Sequence, residues 1–352
     1  MSAIEMSGTA LGALRKQRSR KGSWALRMAI LTAVVAVAPL LLYPVFLIKV
    51  LCFALFACAF NLLVGFAGLM SFGHAAFFGM GSYISAWTAK EWGLTPELAV
   101  LAGGLVGTAM GAAFGWVAIR RQGIFFAMIT LALAQMVYFF CLQAPFAGGE
   151  DGIQHVPRGR LLGLIPLDND LAMYGFCAVV FLLGFAVIHR VVHSPFGQIL
   201  KGIRENETRT ASLGYDTAHY KLIAFIVSAT FSAMAGGVKA LAFGIATLTE
   251  VHAATSGHVV LMTLVGGMGT IFGPVVGAFV MTAMEQYLAR FGSWVTVIQG
   301  LIFIFCVLAF RTGIVGEFNR WHGLWRARRD PAPAGAAPAR KSSPSQHAGD
   351  AS

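Results

Sequence analysis

An all-α polytopic membrane protein is the fold class this sequence predicts, and three observations predict it. Of the 352 residues, 57% are hydrophobic and only 12% charged, and the mean hydropathy is +0.72, a composition foreign to water-soluble globules. Apolar runs follow one another from residue 25 to residue 310, and a bilayer core about 30 Å thick takes about 20 apolar residues per helix. The Lys and Arg residues sit in short clusters between those runs instead of forming one basic face. The net charge of +11 therefore reads as membrane topology and not as a nucleic-acid surface.

The runs fall at residues 27–48, 50–65, 72–89, 97–119, 123–142, 171–189, 220–243, 258–270, 273–289 and 294–310, which makes about ten crossings, some short or broken. As one unbroken helix, 257–289 would be about 50 Å long, so a break is expected in the stretch Gly266, Gly267, Met268, Gly269, Thr270, Ile271, Phe272, Gly273 and Pro274. Cytoplasmic loops retain Lys and Arg. Ten crossings place both termini inside together with 20 of the 26 positive residues, whereas nine would put the Arg-rich C-terminus outside. On this count 1–24 is a basic cytoplasmic segment and 25–315 the transmembrane domain. The Pro-, Ala- and Ser-rich 316–352 is a cytoplasmic tail expected to be disordered. A cleaved leader is the competing reading of the first basic and apolar stretch, but the apolar run continues to about Val50, longer than a leader's apolar region.

Two loops are long enough to carry function. Residues 143–170, expected outside, contain Gly148, Gly149, Glu150, Asp151 and Gly152. Residues 190–219, expected inside, open with Ser194 and Pro195, a helix cap followed by proline at the first helical position. They continue through Ile199, Leu200 and Ile203 to the polar stretch Arg204, Glu205, Asn206 and Glu207. That pattern predicts a short surface helix with one apolar side. At about 30 residues it exceeds what a connector needs and reads as a surface for a motor subunit to push on.

The densest glycine segment, Gly65, Gly68, Gly73, Gly79 and Gly81, admits two readings. One is close packing of helices through small residues; the other is a broken helix whose freed backbone lines a cavity. The candidate helix-break glycines are Gly65, Gly68, Gly266, Gly267, Gly269 and Gly273. His74 stands near the start of a spanning helix, where an ionisable residue is a functional candidate by default. With no carboxylate nearby in the sequence, a neutral histidine tying glycine-rich backbone together is the favoured role. Ser71, Gly73, His74, Thr130 and Gln135 are the candidates for a translocation pathway. Other polar residues within the runs are Asn61, Lys239, Glu285 and Gln286, and Glu285 is read as the single mid-run acid. A proton- or sodium-coupled carrier uses acids or histidines within its spans, so energy is expected from elsewhere. The stretch 266–273 lacks the Lys of a phosphate loop, so this chain is expected to bind no cofactor, and any nucleotide belongs to a separate subunit. Cys52, Cys58, Cys141, Cys177 and Cys306 show no metal-ligand or redox spacing and read as packing residues. No HExxH, GxSxG or carboxylate cluster points to an enzyme or a metal site.

Three ordered stretches together resemble the permease subunits of ABC importers for branched-chain amino acids, specifically the larger of their two permease types. The first runs from Asn61, Leu62, Leu63, Val64 and Gly65 through Ser71, Phe72, Gly73, His74 and Ala75 to Tyr83. The second is Ser194, Pro195, Phe196 and Gly197 with Ile203 to Glu207, then Ser212, Leu213, Gly214 and Tyr220, Lys221, Leu222. The third is Gly266 to Thr270 with Gly273 and Pro274. The resemblance covers about residues 40–315. It implies a multi-pass protein of the bacterial inner membrane that pairs with a second homologous permease, two ATPase subunits carrying ATP and Mg, and a periplasmic substrate-binding protein. It further implies that Arg204, Glu205, Asn206, Glu207, Ser212, Leu213, Gly214 and Tyr215 belong to the segment that docks on the ATPase, and that 148–153 lies near the binding-protein contact. The wider family includes importers of urea, short amides and other small polar or aromatic solutes. A stand-alone secondary carrier is the remaining alternative.

Overall fold

The computed structural model describes residues 28–289 without interruption, then residues 294, 297, 298, 300, 301, 304, 308 and 313–317. The basic segment 1–24, Cys306, and most of the tenth run and of the tail lie outside the described residues. In chain order the helices are α1 (Met28–Leu41), α2 (Pro44–Asn61) continued by a π-helical turn (Leu62–Ala67), α3 (His74–Glu91), α4 (Pro96–Ala118), α5 (Ile124–Gln143) and α6 (Asp170–His193). Then come α7 (Pro195–Glu205), α8 (Glu207–Ser212), α9 (Thr217–Phe243), α10 (Ala253–Gly266) and α11 (Gly273–Leu288). Among these, α2 with its π turn, α4, α5, α6 and α9 are long and apolar enough to cross a bilayer. The chain is thus an all-α polytopic membrane protein.

Proline sets several starts. It opens α2, α4, α7 and α11, where a helix has unpaired N–H groups and loses nothing by the missing donor. Pro44 also moves one expected boundary. The first two apolar runs divide at Leu42 and Tyr43, not near Lys49, and Lys49 falls inside α2.

Helix α2 is the central element, with 89% of its most apolar window buried. Helices α3, α4 and α9 pack backbone to backbone beside it. Gly103, Gly107, Gly111 and Gly115 recur every four residues along one stripe of α4. A Cβ on Gly107 or Gly111 would press on Ala233 or Ala229 of α9, and one on Gly236 of α9 would overlap the Phe78 carbonyl of α3. Small residues bring spanning helices this close because their attraction is van der Waals packing and not a difference in hydrophobicity from lipid. The close-packing reading of Gly81 holds, since a Cβ there would overlap Ala233.

The 257–289 stretch breaks where expected. Helices α10 and α11 form an antiparallel hairpin about the turn 267–272, with Gly267 and Gly269 at positive φ of 116° and 76°. Its far ends are joined by His258 Nδ1 and Glu285 Oε1 at 3.2 Å, while Lys49 Nζ on α2 reaches Glu285 Oε2 at 2.8 Å. The lone sequence-visible acid is therefore paired at that end of the bundle.

Two short antiparallel strand pairs lie in the loops: Ile153–Gln154 with Ile245–Ala246, and Arg160–Leu161 with Ile165–Pro166. The first ties the 143–170 loop to the segment after α9. Cys52, Cys58, Cys141 and Cys177 are buried and form no disulfide.

Candidate functional site

The 190–219 loop folds as two helices rather than one. Ser194 Oγ accepts from Gly197 N at 3.4 Å to cap α7, and Gly197, Leu200 and Ile203 turn its apolar side inward. Asn206 leaves helical geometry, and its Oδ1 accepts from Arg209 N at 2.9 Å to cap α8. Asn206 is thus a structural break that starts a second helix in a new direction. Glu205, Arg209, Ser212 and Asp216 stay exposed, and Leu213 and Tyr215 stand 72% and 43% exposed beside the left-handed Gly214. Apolar side chains at the tip of a charged loop are what a protein partner buries.

Two of the expected coupling residues instead face their own chain. Glu207 pairs with Lys221 Nζ at 2.5 Å and accepts from Thr217 Oγ1 at 3.1 Å, and Lys221 is only 4% exposed. The Arg204 guanidinium donates to the Gly65 carbonyl. The π-helical turn at 62–67 frees that carbonyl from the regular α ladder, and the turn ends at Gly68, whose φ of 73° suits a residue without Cβ. A Cβ on Gly68 would lie 3.0 Å from Arg204 Cγ, so the arginine stem crosses the glycine directly.

Asn61, one turn earlier, bridges to the α10–α11 turn. Its Oδ1 accepts from Gly269 N at 3.0 Å, and its Nδ2 donates to the Thr270 carbonyl at 2.9 Å. Thr270 Oγ1 in turn donates to the Gly267 carbonyl at 2.8 Å and accepts from Gly273 N at 3.1 Å. The three sequence stretches, more than 130 residues apart in each pairing of the first with the others, thus meet at one junction. Arg204 holds the end of α2, and Asn61 holds the hairpin turn.

A second polar knot lies deeper. Residues 68–73 are irregular backbone between the π turn and α3, and side chains satisfy several donors there and in the first turn of α3. Phe72 N donates to Thr130 Oγ1 at 3.2 Å, Gly73 N to Ser71 Oγ at 3.2 Å, and Ala75 N to Ser256 Oγ at 2.9 Å. His74 is fully buried, with Nδ1 3.0 Å from Ser71 Oγ and Nε2 2.8 Å from Ser228 Oγ, which itself donates to the Ala59 carbonyl at 2.6 Å. Phe60, Phe77 and Phe225 meet the imidazole edge-on. Irregular backbone survives at membrane depth only when protected in this way.

Of the pathway candidates, Ser71, Gly73, His74 and Thr130 come together in this knot, whereas Gln135 sits half-buried farther along α5. Two concavities flank the 68–73 segment. An apolar one of about 450 Å³ is lined by Leu69, Met70, Phe72 and, on α5, Ile124, Phe126 and Met128. A polar one of about 240 Å³ lies between Gly68, Gln122, Arg204, Asn206 and Lys221. Among the described residues no group of three or more His, Cys, Asp or Glu is placed to hold a metal ion. Sequence reasoning missed Glu250, a buried acid in the connection after α9 that pairs with Lys239 at 2.7 Å. The one signal for it was a lysine within an apolar run, which calls for an acid nearby.

Comparison with known proteins adds the family. Residues 44–307 match the family model described as branched-chain amino acid transport system / permease component. The high-affinity branched-chain amino acid transport system permease protein LivM of Salmonella typhimurium is 26% identical over 271 residues, covering 70% of this chain and 64% of the relative. The chain thus spans slightly under two thirds of the length of that protein. The probable branched-chain amino acid transport permease protein LivH of Methanocaldococcus jannaschii is 23% identical over 67% of this chain and 80% of its own. The autoinducer 2 import system permease protein LsrC of Photorhabdus laumondii is 27% identical over 37% of this chain and 40% of its own. No solved structure gives a significant match.

Proposed function

The chain belongs to the branched-chain amino acid transport permease family, and on that premise we propose that it moves branched-chain amino acids across the bacterial inner membrane as one permease of an ATP-driven importer. It is a transport subunit, and ATP and Mg bind two separate ATPase subunits. A second homologous permease completes the passage, and a periplasmic protein delivers the cargo. Residues 190–219 face the cytoplasm and 143–170 the periplasm.

The observation that carries this reading is the junction. A surface helix pair with exposed Glu205, Leu213 and Tyr215 is joined, through Arg204, to the irregular end of α2 and thence through Asn61 to the α10–α11 turn. Force applied to α7 therefore reaches two helix breaks without passing through a flexible linker. Irregular segments of this kind are where spanning helices reorient in alternating access, and a pushed element amplifies small shifts because packed cores switch between discrete arrangements. The His74 knot tethers α2, α3 and α9 beside those breaks.

The test is reconstitution. Proteoliposomes holding the complete assembly should accumulate leucine against a gradient only with ATP on the ATPase side and loaded binding protein on the other. Accumulation by the purified chain alone would make it a stand-alone carrier and remove the need for the docking surface.

A further inference from the structure

Away from the junction, one buried charge pair has no part in coupling. Lys239 of α9 and Glu250, in the short connection between α9 and α10, meet at 2.7 Å, and Glu250 is 4% exposed. The ammonium also lies over two aromatic faces, 5.4 Å from the Phe53 centroid and 5.6 Å from that of Phe78. Desolvating two charges costs about as much as their attraction returns, and ionisable residues facing the interior of a membrane bundle are functional candidates by default.

The pair is also incomplete. Glu250 Oε2 is buried and, among the described residues, has no hydrogen-bond partner; neither has the hydroxyl of Tyr83, a fully buried α3 residue one turn from Gly79, which packs against Val251 beside Glu250. Buried polar atoms rarely lack partners. The place therefore offers one open acceptor on an anion and one open donor, with a cation that uses one of its three N–H groups on Glu250, all against aromatic walls. A cation alone would leave the tyrosine donor unmet, and an anion alone the Glu250 oxygen. A zwitterion meets both.

We propose that Lys239, Glu250 and Tyr83 form an occluded contact site for a zwitterionic α-amino acid in transit. The cargo ammonium donates to Glu250 Oε2. Its carboxylate accepts from the Tyr83 hydroxyl and from the remaining N–H groups of Lys239, whose ammonium stays over Phe53 and Phe78. This inference rests on the transport reading above and assigns the chain itself a share in cargo recognition, in addition to whatever selection a binding protein makes.

The experiment uses the complete transporter in proteoliposomes with radiolabelled leucine as probe. Tyr83→Phe deletes only a hydroxyl with no structural partner, so thermal stability of the complex should hold while the leucine concentration for half-maximal uptake rises at least threefold. Glu250→Gln and Lys239→Met should each lower uptake at least tenfold while basal ATP hydrolysis persists. The exchange Lys239→Glu with Glu250→Lys restores an ion pair but reverses its polarity, so stability should recover and uptake should not. Unchanged uptake in Tyr83→Phe, or uptake recovered by the exchange, would make the cluster a structural pair completed by water. A wild-type complex that takes up no leucine would sink the transport reading along with this one, whereas normal wild-type uptake with indifferent variants sinks this inference alone.

Discussion

If Arg204 is the link between the cytoplasmic helix pair and the membrane core, Arg204→Met should separate ATP hydrolysis from transport. Methionine keeps an apolar stem to lie across Gly68, so the packing is largely preserved, and it loses only the guanidinium that holds the Gly65 carbonyl. A hydrogen bond from a charged donor contributes about 1.5–3 kcal/mol, and the partly buried setting places this one near 2 kcal/mol. At 1.36 kcal/mol per factor of ten, the link should weaken by about thirtyfold. Hydrolysis and leucine uptake measured on the same proteoliposomes should then show ATP turnover within about twofold of wild type and uptake per ATP reduced by roughly ten- to thirtyfold. Arg204→Lys retains a charged donor that can still reach one carbonyl, and should recover part of the loss. Wild-type uptake per ATP in Arg204→Met would refute the idea that force enters through this contact, and would turn attention to the apolar side of α7.

Asn61→Ala strips both hydrogen bonds to the α10–α11 turn and leaves the Gly269 N–H and Thr270 carbonyl without them; at about 1–3 kcal/mol for each unsatisfied group, the melting temperature of the complex should fall measurably and uptake per ATP with it. Glu207→Gln leaves the buried Lys221 ammonium without its counter-ion, so it should lower thermal stability by on the order of 2–3 kcal/mol, whereas Glu205→Gln should leave stability unchanged and weaken ATPase binding in a pull-down. Equal effects of the two would contradict the inward assignment of Glu207. Gly236→Ala drives a methyl into the Phe78 carbonyl and should abolish folded protein on size-exclusion chromatography, while Gly257→Ala, which points into open space, should be silent.

Much of this architecture was legible because bilayer thickness constrains helix length so strongly. The length of the 257–289 stretch alone required a break, and its Gly-rich centre is where the turn lies. Ser194 followed by Pro195 announced α7 through the chemistry of helix starts. What stayed hidden depends on where side chains point. Nothing in the spacing of Arg204, Glu205 and Glu207 says that the first and third turn back on the chain while the second faces outward. The boundary at Pro44 was masked because α1 and α2 are both apolar, and hydropathy does not register a proline that interrupts two like segments. Glu250 escaped because it lies in a connection between runs, where a carboxylate looks solvated until the connection is seen to fold back into the core.

The distribution of polar contacts also divides the bundle in a way that bears on how it moves. Helices α2, α10 and α11 are tied at both ends, by Asn61 to Gly269 and Thr270 at one and by Lys49, Glu285 and His258 at the other. Helices α3, α4 and α9 are joined along their lengths by glycine and alanine contacts with no room for repacking. On the proposed function, a push on Arg204 would act on a unit that is braced against bending, next to a second unit that is too tightly packed to deform. Between them lie the irregular segment 68–73 and the His74 knot, where Ser228 and Ser71 hold an imidazole that has one hydrogen bond on each nitrogen. A fully satisfied buried network of this sort rigidifies the place it occupies, as close packing does along the glycine stripes. We propose that the knot is a strut and not a hinge, with His74 passing displacement of α3 to α2 and α9 through Ser228.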